Sequence, residues 1–363
     1  MSAQIVLQIE NGTSPGELLM RWSRGGMRFD PYVVNEGTLR RVGQRVRQSL
    51  QKLMREIDST RDPAAEAQAL RDLATDGNRL YRVLLPEKHA TAEDVRSWLE
   101  VDMRSLADEL VIVVPSRVNV PWGLVYEADP QALVAVEPPH RPEHYGGFWA
   151  RRFKVAALYS RTSPKAVDFP RDAARFAVIP ALHKETWDKV LERLDEPEIG
   201  ALVSDFFGRR WQPVYTKRGL IDSWKRMADA IDVVYFYGHS NGRSLQIDDA
   251  ELLTQDDMVI ELKRGEASRE MPPSLFILNG CDTAVGDLEG GFLECCGSQG
   301  CCGFVGSEAK LPERLAFCFG VSLLDQMLNK KKPLGEAVMA LHERYWPMGL
   351  AFSMSCPPAI RVG

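Results

Sequence analysis

The chain has 363 residues, 45% hydrophobic and 26% charged, and its 45 Lys and Arg against 50 Asp and Glu give a formal charge of −5. That composition is ordinary for folded globular protein, the length suits two packed lobes better than one core, and the charge gives no electrostatic footprint for DNA or RNA. Seven cysteines, five of them between Cys281 and Cys302, do not follow a secreted disulfide framework and lead us to expect a reducing cytoplasm. No stretch approaches the roughly 20 apolar residues that cross a bilayer, and residues 1–10 lack the basic start of an export signal, so neither a membrane nor a nucleic-acid partner is expected.

Residues 4–8 read as a short strand. Leu39, Val42, Val46, Leu50, Leu53 and Ile57 then recur at three- and four-residue intervals, the apolar stripe of an amphipathic helix whose other face, with Arg40, Arg41, Arg45, Arg47, Lys52 and Arg55, is expected to be solvated. Residues 64–76, preceded by Pro63, and 91–103, opening Thr-Ala-Glu-Asp, predict two more helices. The continuously apolar run 110–115 and the similar run 153–159 predict strands buried on both faces. From 161 to 175 the periodicity lapses into Pro-containing charged sequence, so the lobes are set at residues 1–165 and 166–363. Beyond it the pattern predicts strands at 176–180, 232–237, 274–278, 303–306 and 351–355. Helices are predicted at 183–194, 220–230, 313–328 and 334–343, which makes an α/β lobe with a largely parallel sheet.

In open α/β sheets the working groups gather beyond the carboxyl ends of the strands. Two such ends carry chemistry here: Val233-Val-Tyr-Phe-Tyr-Gly-His239 and Leu275-Phe-Ile-Leu-Asn-Gly-Cys281. If those strands are neighbours, an imidazole and a thiol project from one sheet edge, where the imidazole can favour the thiolate and later protonate a leaving amine. The residues alone leave a second reading open, a structural histidine and a small buried cysteine. The pairs Cys295-Cys296 and Cys301-Cys302 lack the spaced second pair of ligands that tetrahedral zinc requires, and are read as packing residues. His140 and His144 fall in Pro-broken sequence and are read as loop residues, and no Walker loop, Gly-x-Gly-x-x-Gly or Gly-x-Ser-x-Gly motif is present.

Tyr237-Gly-His-Ser-Asn-Gly242 and Ile277-Leu-Asn-Gly-Cys-Asp-Thr283 resemble the His and Cys motifs of the CHAT family, caspase-like relatives of separase. Leu80-Tyr-Arg-Val-Leu-Leu85, Val111-Ile-Val-Val114 and Val120-Pro-Trp-Gly-Leu-Val-Tyr126 look like that family's upstream segment. Gly303-Phe-Val-Gly306 and Leu334-Gly-Glu-Ala-Val338 are similar to its downstream strand and helix. The resemblance implies a caspase-like three-layer α-β-α fold, with an upstream degenerate caspase-like lobe and a C-terminal catalytic lobe. It implies Cys281 as nucleophile, His239 as acid/base, and backbone N–H groups of Ser240 and Cys281 as oxyanion donors. Ser240 departs from the family, which places Gly directly after the histidine. The expected activity is cysteine-type endopeptidase action on a dedicated protein substrate, needing no cofactor or metal, within a bacterial signalling or defence system and under a separate activator or sensor protein. Asp282 and Glu308 are candidates for an acidic substrate-binding pocket. The alternatives are a catalytically silent caspase-like scaffold, which Ser240 favours, and a cysteine-dependent hydrolase or acyltransferase acting on a small molecule.

Overall fold

The protein is described from a computed structural model, which covers residues 4–59, 62–101, 108–115, 117–136, 141–159, 176–227, 231–261, 274–285, 292 and 302–362. It divides into two compact units, Met1–Arg161 with His342–Ser353, and Thr162–Leu341 with Met354–Gly363. The expected linker 161–175, together with Cys295, Cys296, Cys301 and His140, lies outside the described residues.

In the first unit a six-stranded sheet has the order β3-β2-β1-β5-β6, with β4 also on β2. The strands are β1 (Gln4–Asn11), β2 (Glu17–Arg24), β3 (Met27–Arg28), β4 (Tyr32–Asn35), β5 (Asp108–Val114) and β6 (Phe153–Tyr159). Parallel pairing holds only for β1–β5 and β5–β6; β2 runs antiparallel to β1, β3 and β4. This hairpin segment adds strands to residues 17–35, where the sequence predicted none between the strand at 4–8 and the first helix. Its signal was the period-two burial of Leu18, Met20 and Trp22, whose apolar side chains face the core while Arg21 does not. Trp22 Nε1 donates to the Tyr32 hydroxyl at 2.9 Å, and that hydroxyl donates to the Leu84 carbonyl at 2.7 Å, which ties the hairpin to the helix behind it.

Helix α1 (Glu36–Ser59) buries Leu39, Val46, Leu50 and Leu53. It packs on α2 (Pro63–Leu84), which continues past the expected end at residue 76 because Leu80, Tyr81 and Leu84 extend its buried stripe. The basic face of α1 is not simply solvated: Arg45 pairs with Asp76 at 3.2 Å and Lys52 with Asp72 at 2.7 Å, both on α2. The exposed Lys52–Asp72 pair contributes at most about 1 kcal/mol, and the buried Asp76 gains Arg45 as a partner, so the apolar stripe remains the main bond between the two helices. Helix α3 (Ala90–Val101) and the short α4 (Trp149–Arg152) complete the unit. His342, also in this unit, is buried between the Ala150 and Phe352 carbonyls at 3.2 and 3.0 Å; burial holds its pKa below the ordinary imidazole range, the mark of a structural histidine.

The second unit is built on a five-stranded sheet ordered β14-β13-β12-β8-β7. These are β7 (Val178–Leu182), β8 (Val233–Tyr237), β12 (Leu275–Asn279), β13 (Gly303–Ser307) and β14 (Phe352–Met354). The pairs β7–β8, β8–β12 and β12–β13 are all parallel, and every residue of the four strands involved is buried, as the unbroken apolar runs predict. Helices α5 (Lys184–Glu192), α6 (Pro197–Val203), α7 (Lys217–Met227), α8 (Gln255–Glu261), α9 (Glu313–Leu328) and α10 (Leu334–Arg344) follow the strands.

The pleat sorts the helices into layers. Tyr237 on one sheet face stacks edge-on against Trp187 of α5 and Phe317 of α9, with centroids 5.5 and 5.7 Å away. Phe276, on the opposite face, meets Trp224 of α7 at 5.8 Å. The result is a three-layer α-β-α unit. A second, three-stranded antiparallel sheet of β9 (His239–Ser240), β10 (Ser244–Gln246) and β11 (Leu252–Thr254) extends the chain leaving β8. Its strands are too short to stand out by periodicity.

Helix α9 is buried nearly all round, and at Gly320 it comes so close to the sheet that a Cβ there would collide with Asn279 Nδ2 and the Tyr235 hydroxyl. Alanine in a helix is ordinarily more stable than glycine by about 0.5–1 kcal/mol. Gly320→Ala is predicted to reverse that sign and cost about 1–3 kcal/mol, seen as a lower urea midpoint at unchanged slope.

Candidate active site

Three strands of the second unit end in register. Leu182 of β7 pairs with Tyr237 of β8, and Tyr237 pairs with Asn279 of β12. Two residues beyond those paired ends the chain reaches His239 and Cys281, so the neighbouring strands required for an imidazole and a thiol to share one carboxyl edge are present. The crossing loops touch: a Cβ at Gly280 would stand 3.0 Å from both the Gly238 carbonyl oxygen and Ser240 Cβ. A side chain at 280 would need those neighbours to give by a few tenths of an ångström.

The turn carrying Cys281 is fastened from below. Thr283 Oγ1 donates to the Leu278 carbonyl at 2.7 Å and accepts from Ser307 N–H at 2.9 Å, while Ser307 Oγ donates to the Gly280 carbonyl at 2.6 Å. Asp282 adopts a left-handed backbone, φ +56°, which Asp tolerates better than most residues, and its N–H donates to the Ala309 carbonyl at 3.2 Å. The turn therefore reverses directly after the cysteine and lies against the segment that leaves β13. That segment supplies the thiol's neighbours: Leu311 N–H donates to Cys281 Sγ at 3.4 Å. Burial pushes the thiol pKa above its ordinary value, and the nearby Asp282 and Glu313 carboxylates push the same way. The Leu311 N–H and the Lys310 ammonium act against them.

His239 is exposed, on the first residue of β9, paired with Gln246 of β10. Ser240, the departure from the resembled family, accepts from Gly242 N–H through its hydroxyl at 3.1 Å. Gly242 has φ +81° and lies 3.1 and 3.2 Å, measured from a Cβ built there, from the carbonyl oxygens of Val285 and Asp282. Ser240 thus closes a turn that delivers its glycine two residues later, against the cysteine loop. Glu308 is buried one residue before the Ala309 that bonds Asp282, so both expected carboxylates belong to the same corner of backbone.

The sequence reading missed three residues beside the histidine. His183, buried at the end of β7, caps α5: its Nδ1 accepts from Thr186 N–H at 3.3 Å. The Thr186 hydroxyl lies 2.9 Å from that same Nδ1 and 3.1 Å from His239 Nε2. His183 Nε2 in turn stands 3.2 Å from Asp249 Oδ1. A signal existed, since His183 follows a buried apolar strand just as His239 does. The strand was expected at 176–180, ending at Pro180; it is observed at Val178–Leu182 because β7 is an edge strand, where a residue lacking N–H is tolerated. Among the described residues no group of three or more His, Cys, Asp or Glu could hold a metal ion, and Cys302 is a buried packing residue. His144 lies in a short 3-10 turn, Pro142–Tyr145.

No protein-family model matches the sequence, and no curated protein matches it. Solved structures do. Separase of Saccharomyces cerevisiae in its complex with securin is similar with a TM-score of 0.56 and 10% identity, over 97% of this chain and 30% of that one. A second structure of the same complex gives 0.55 and 10%, over 99% and 30%. The Arg-specific cysteine proteinase gingipain R gives 0.44 and 11%, over 90% of this chain and 76% of that one. The chain thus spans about 30% of the separase chain. At such identities the likeness speaks for architecture alone, and the chain has the caspase-like mixed α/β fold of the separase structures.

Proposed function

We propose that the chain is a cysteine endopeptidase of the CHAT type, with Cys281 as nucleophile and His239 as its acid/base. The observation that carries this reading is the register of β8 and β12, which brings the two residues to one carboxyl edge within a caspase-like fold. In the proposed reaction Cys281 gives its proton to His239 and its sulfur bonds the scissile carbonyl carbon. Backbone N–H groups of Cys281 and Ser240 hold the oxyanion, and the C–N bond breaks as His239 protonates the departing amine. Water then attacks the thioester, passing its proton through His239 back to sulfur as the acid leaves. This chemistry needs no cofactor. Asp282 and Glu308 are proposed to favour a basic side chain at the residue before the cleaved bond.

Burial of the thiol supports control by another protein. A thiol whose pKa is pushed up by burial is suited to activation by a partner that relieves that burial while leaving the Leu311 N–H on the sulfur. Separase, the fold neighbour, is itself recorded with a protein partner, securin. We therefore propose a dedicated protein substrate and a separate activator, working in the cytoplasm of a bacterial signalling or defence system, as the CHAT resemblance implies.

Wild type and Cys281→Ala protein, each mixed with lysate from the same source and analysed by N-terminal labelling, test the reading. Fragments are expected with wild type alone, and cleavage by His239→Ala is expected to fall by about 10³-fold or more. Fragments from neither protein, with or without co-encoded proteins, would move the scaffold reading ahead. Among matched peptides, Arg and Lys are expected to be cut in preference to Asp at the residue before the scissile bond. Because the thiol pKa is raised, less thiolate is present at neutral pH than for a free cysteine. Iodoacetamide labelling of Cys281 is predicted to be slower than that of free cysteine at pH ~7 and to keep rising above pH ~8.5, as followed by peptide mass spectrometry.

A further inference from the structure

We infer that Thr186, backed by His183 and Asp249, is a positioning residue that fixes His239 as the Nε2–H tautomer, so that Nδ1 is the nitrogen left to exchange protons with Cys281. The inference rests on the peptidase reading for its consequence, but its premise is local hydrogen bonding.

The direction of each bond follows from the one before it. Thr186 N–H can only donate, so His183 Nδ1, 3.3 Å away, must accept and carries no proton. The ring proton of His183 is then on Nε2, facing Asp249 Oδ1 at 3.2 Å. With Nδ1 a lone pair, the Thr186 hydroxyl 2.9 Å from it donates there, and only acceptor capacity is left on that oxygen. His239 Nε2, 3.1 Å from the hydroxyl, must therefore be the donor. An imidazole that donates through Nε2 and is neutral has its basic lone pair on Nδ1.

Packing reinforces the bond. The His183 and His239 rings meet edge to face with centroids 5.2 Å apart, so a buried ring flanks the exposed one. Capping α5 requires only the acceptor on His183 and the Thr186 N–H; the Thr186 hydroxyl is not needed for it. That hydroxyl reaches across to another strand and bonds the one residue there that the proposed chemistry uses. A merely structural Thr186 has no reason to prefer one His239 tautomer.

The test uses the full chain with 15N-labelled histidine and a Cys281→Ala background, in which the His239 ring nitrogens are read by NMR, together with turnover of an Arg-containing fluorogenic peptide by the Cys281 protein. The Nε2–H tautomer is expected for His239. Thr186→Val, which keeps the backbone cap, should yield a mixture of tautomers and lower kcat by about 10- to 100-fold with KM little changed, the range seen when an outer partner orienting an imidazole is lost. Thr186→Ser should restore both readouts. His183→Asn keeps a cap acceptor and should lower kcat in the same sense, and combined with Thr186→Val it should cost less than about twofold more, since both act through one hydroxyl. An Nδ1–H tautomer in the parent, or a Thr186→Val protein with the parental tautomer and kcat, overturns the inference; fully additive losses overturn the serial arrangement. If the Cys281 protein turns over no peptide with or without its co-encoded proteins, the peptidase reading fails separately, and the tautomer of His239 still decides the role of Thr186.

Discussion

The second unit depends on the register of three parallel strands. Leu182, Tyr237 and Asn279 stand side by side across β7, β8 and β12, and a slip of one residue in any of them would exchange its two faces. Tyr237 would then leave Trp187 and Phe317 for the layer that holds Trp224. Buried aromatic packing on both faces therefore fixes the register, and the register fixes which polar residues emerge together. His183, His239 and Cys281 share one edge because their strands stop together.

Around that edge the protein combines stiffness with desolvation. Thr283 and Ser307 satisfy the carbonyls of Leu278 and Gly280, which would otherwise be buried polar groups without partners. The same close packing removes water from Cys281 and raises the pKa of its thiol. Order in the turn and reluctance of the thiol to ionise thus have one cause. His239, in contrast, is exposed at its tip and anchored at its rear, through Thr186, to a buried imidazole.

Much of the second unit was legible because its strands are unbroken apolar runs that signal burial on two faces, and because Pro333 and the largely apolar α9 mark the last helices clearly. His239 and Cys281 stood out because each follows such a run through a single glycine. Other parts were hidden for physical reasons. Pro180 reads as a strand end, although an edge strand tolerates it, and the misplaced boundary made His183 look like an ordinary helix start. Thr186 is remote in sequence from His239, and Asp249 from His183, and no periodicity reports a bond between a helix's first turn and a neighbouring strand. The β2 and β4 strands were missed because Leu19 and Val33 are apolar yet not buried, which blurs the period-two pattern of Leu18, Met20, Tyr32 and Val34 in the sequence.

The left-handed backbone at Asp282 restricts how this site can diverge. For most side chains that conformation costs about 1–2 kcal/mol, while Asn, Asp and Gly adopt it more readily. The residue beside the thiol can therefore lose its charge by becoming Asn or Gly at little backbone cost, whereas a β-branched or other bulky apolar side chain pays that cost in the turn that presents Cys281. Glu308 stands under a different constraint, burial between Ser307 and Ala309, both of which bond the cysteine turn. Change at this corner is therefore limited in two ways, by backbone conformation at Asp282 and by burial at Glu308.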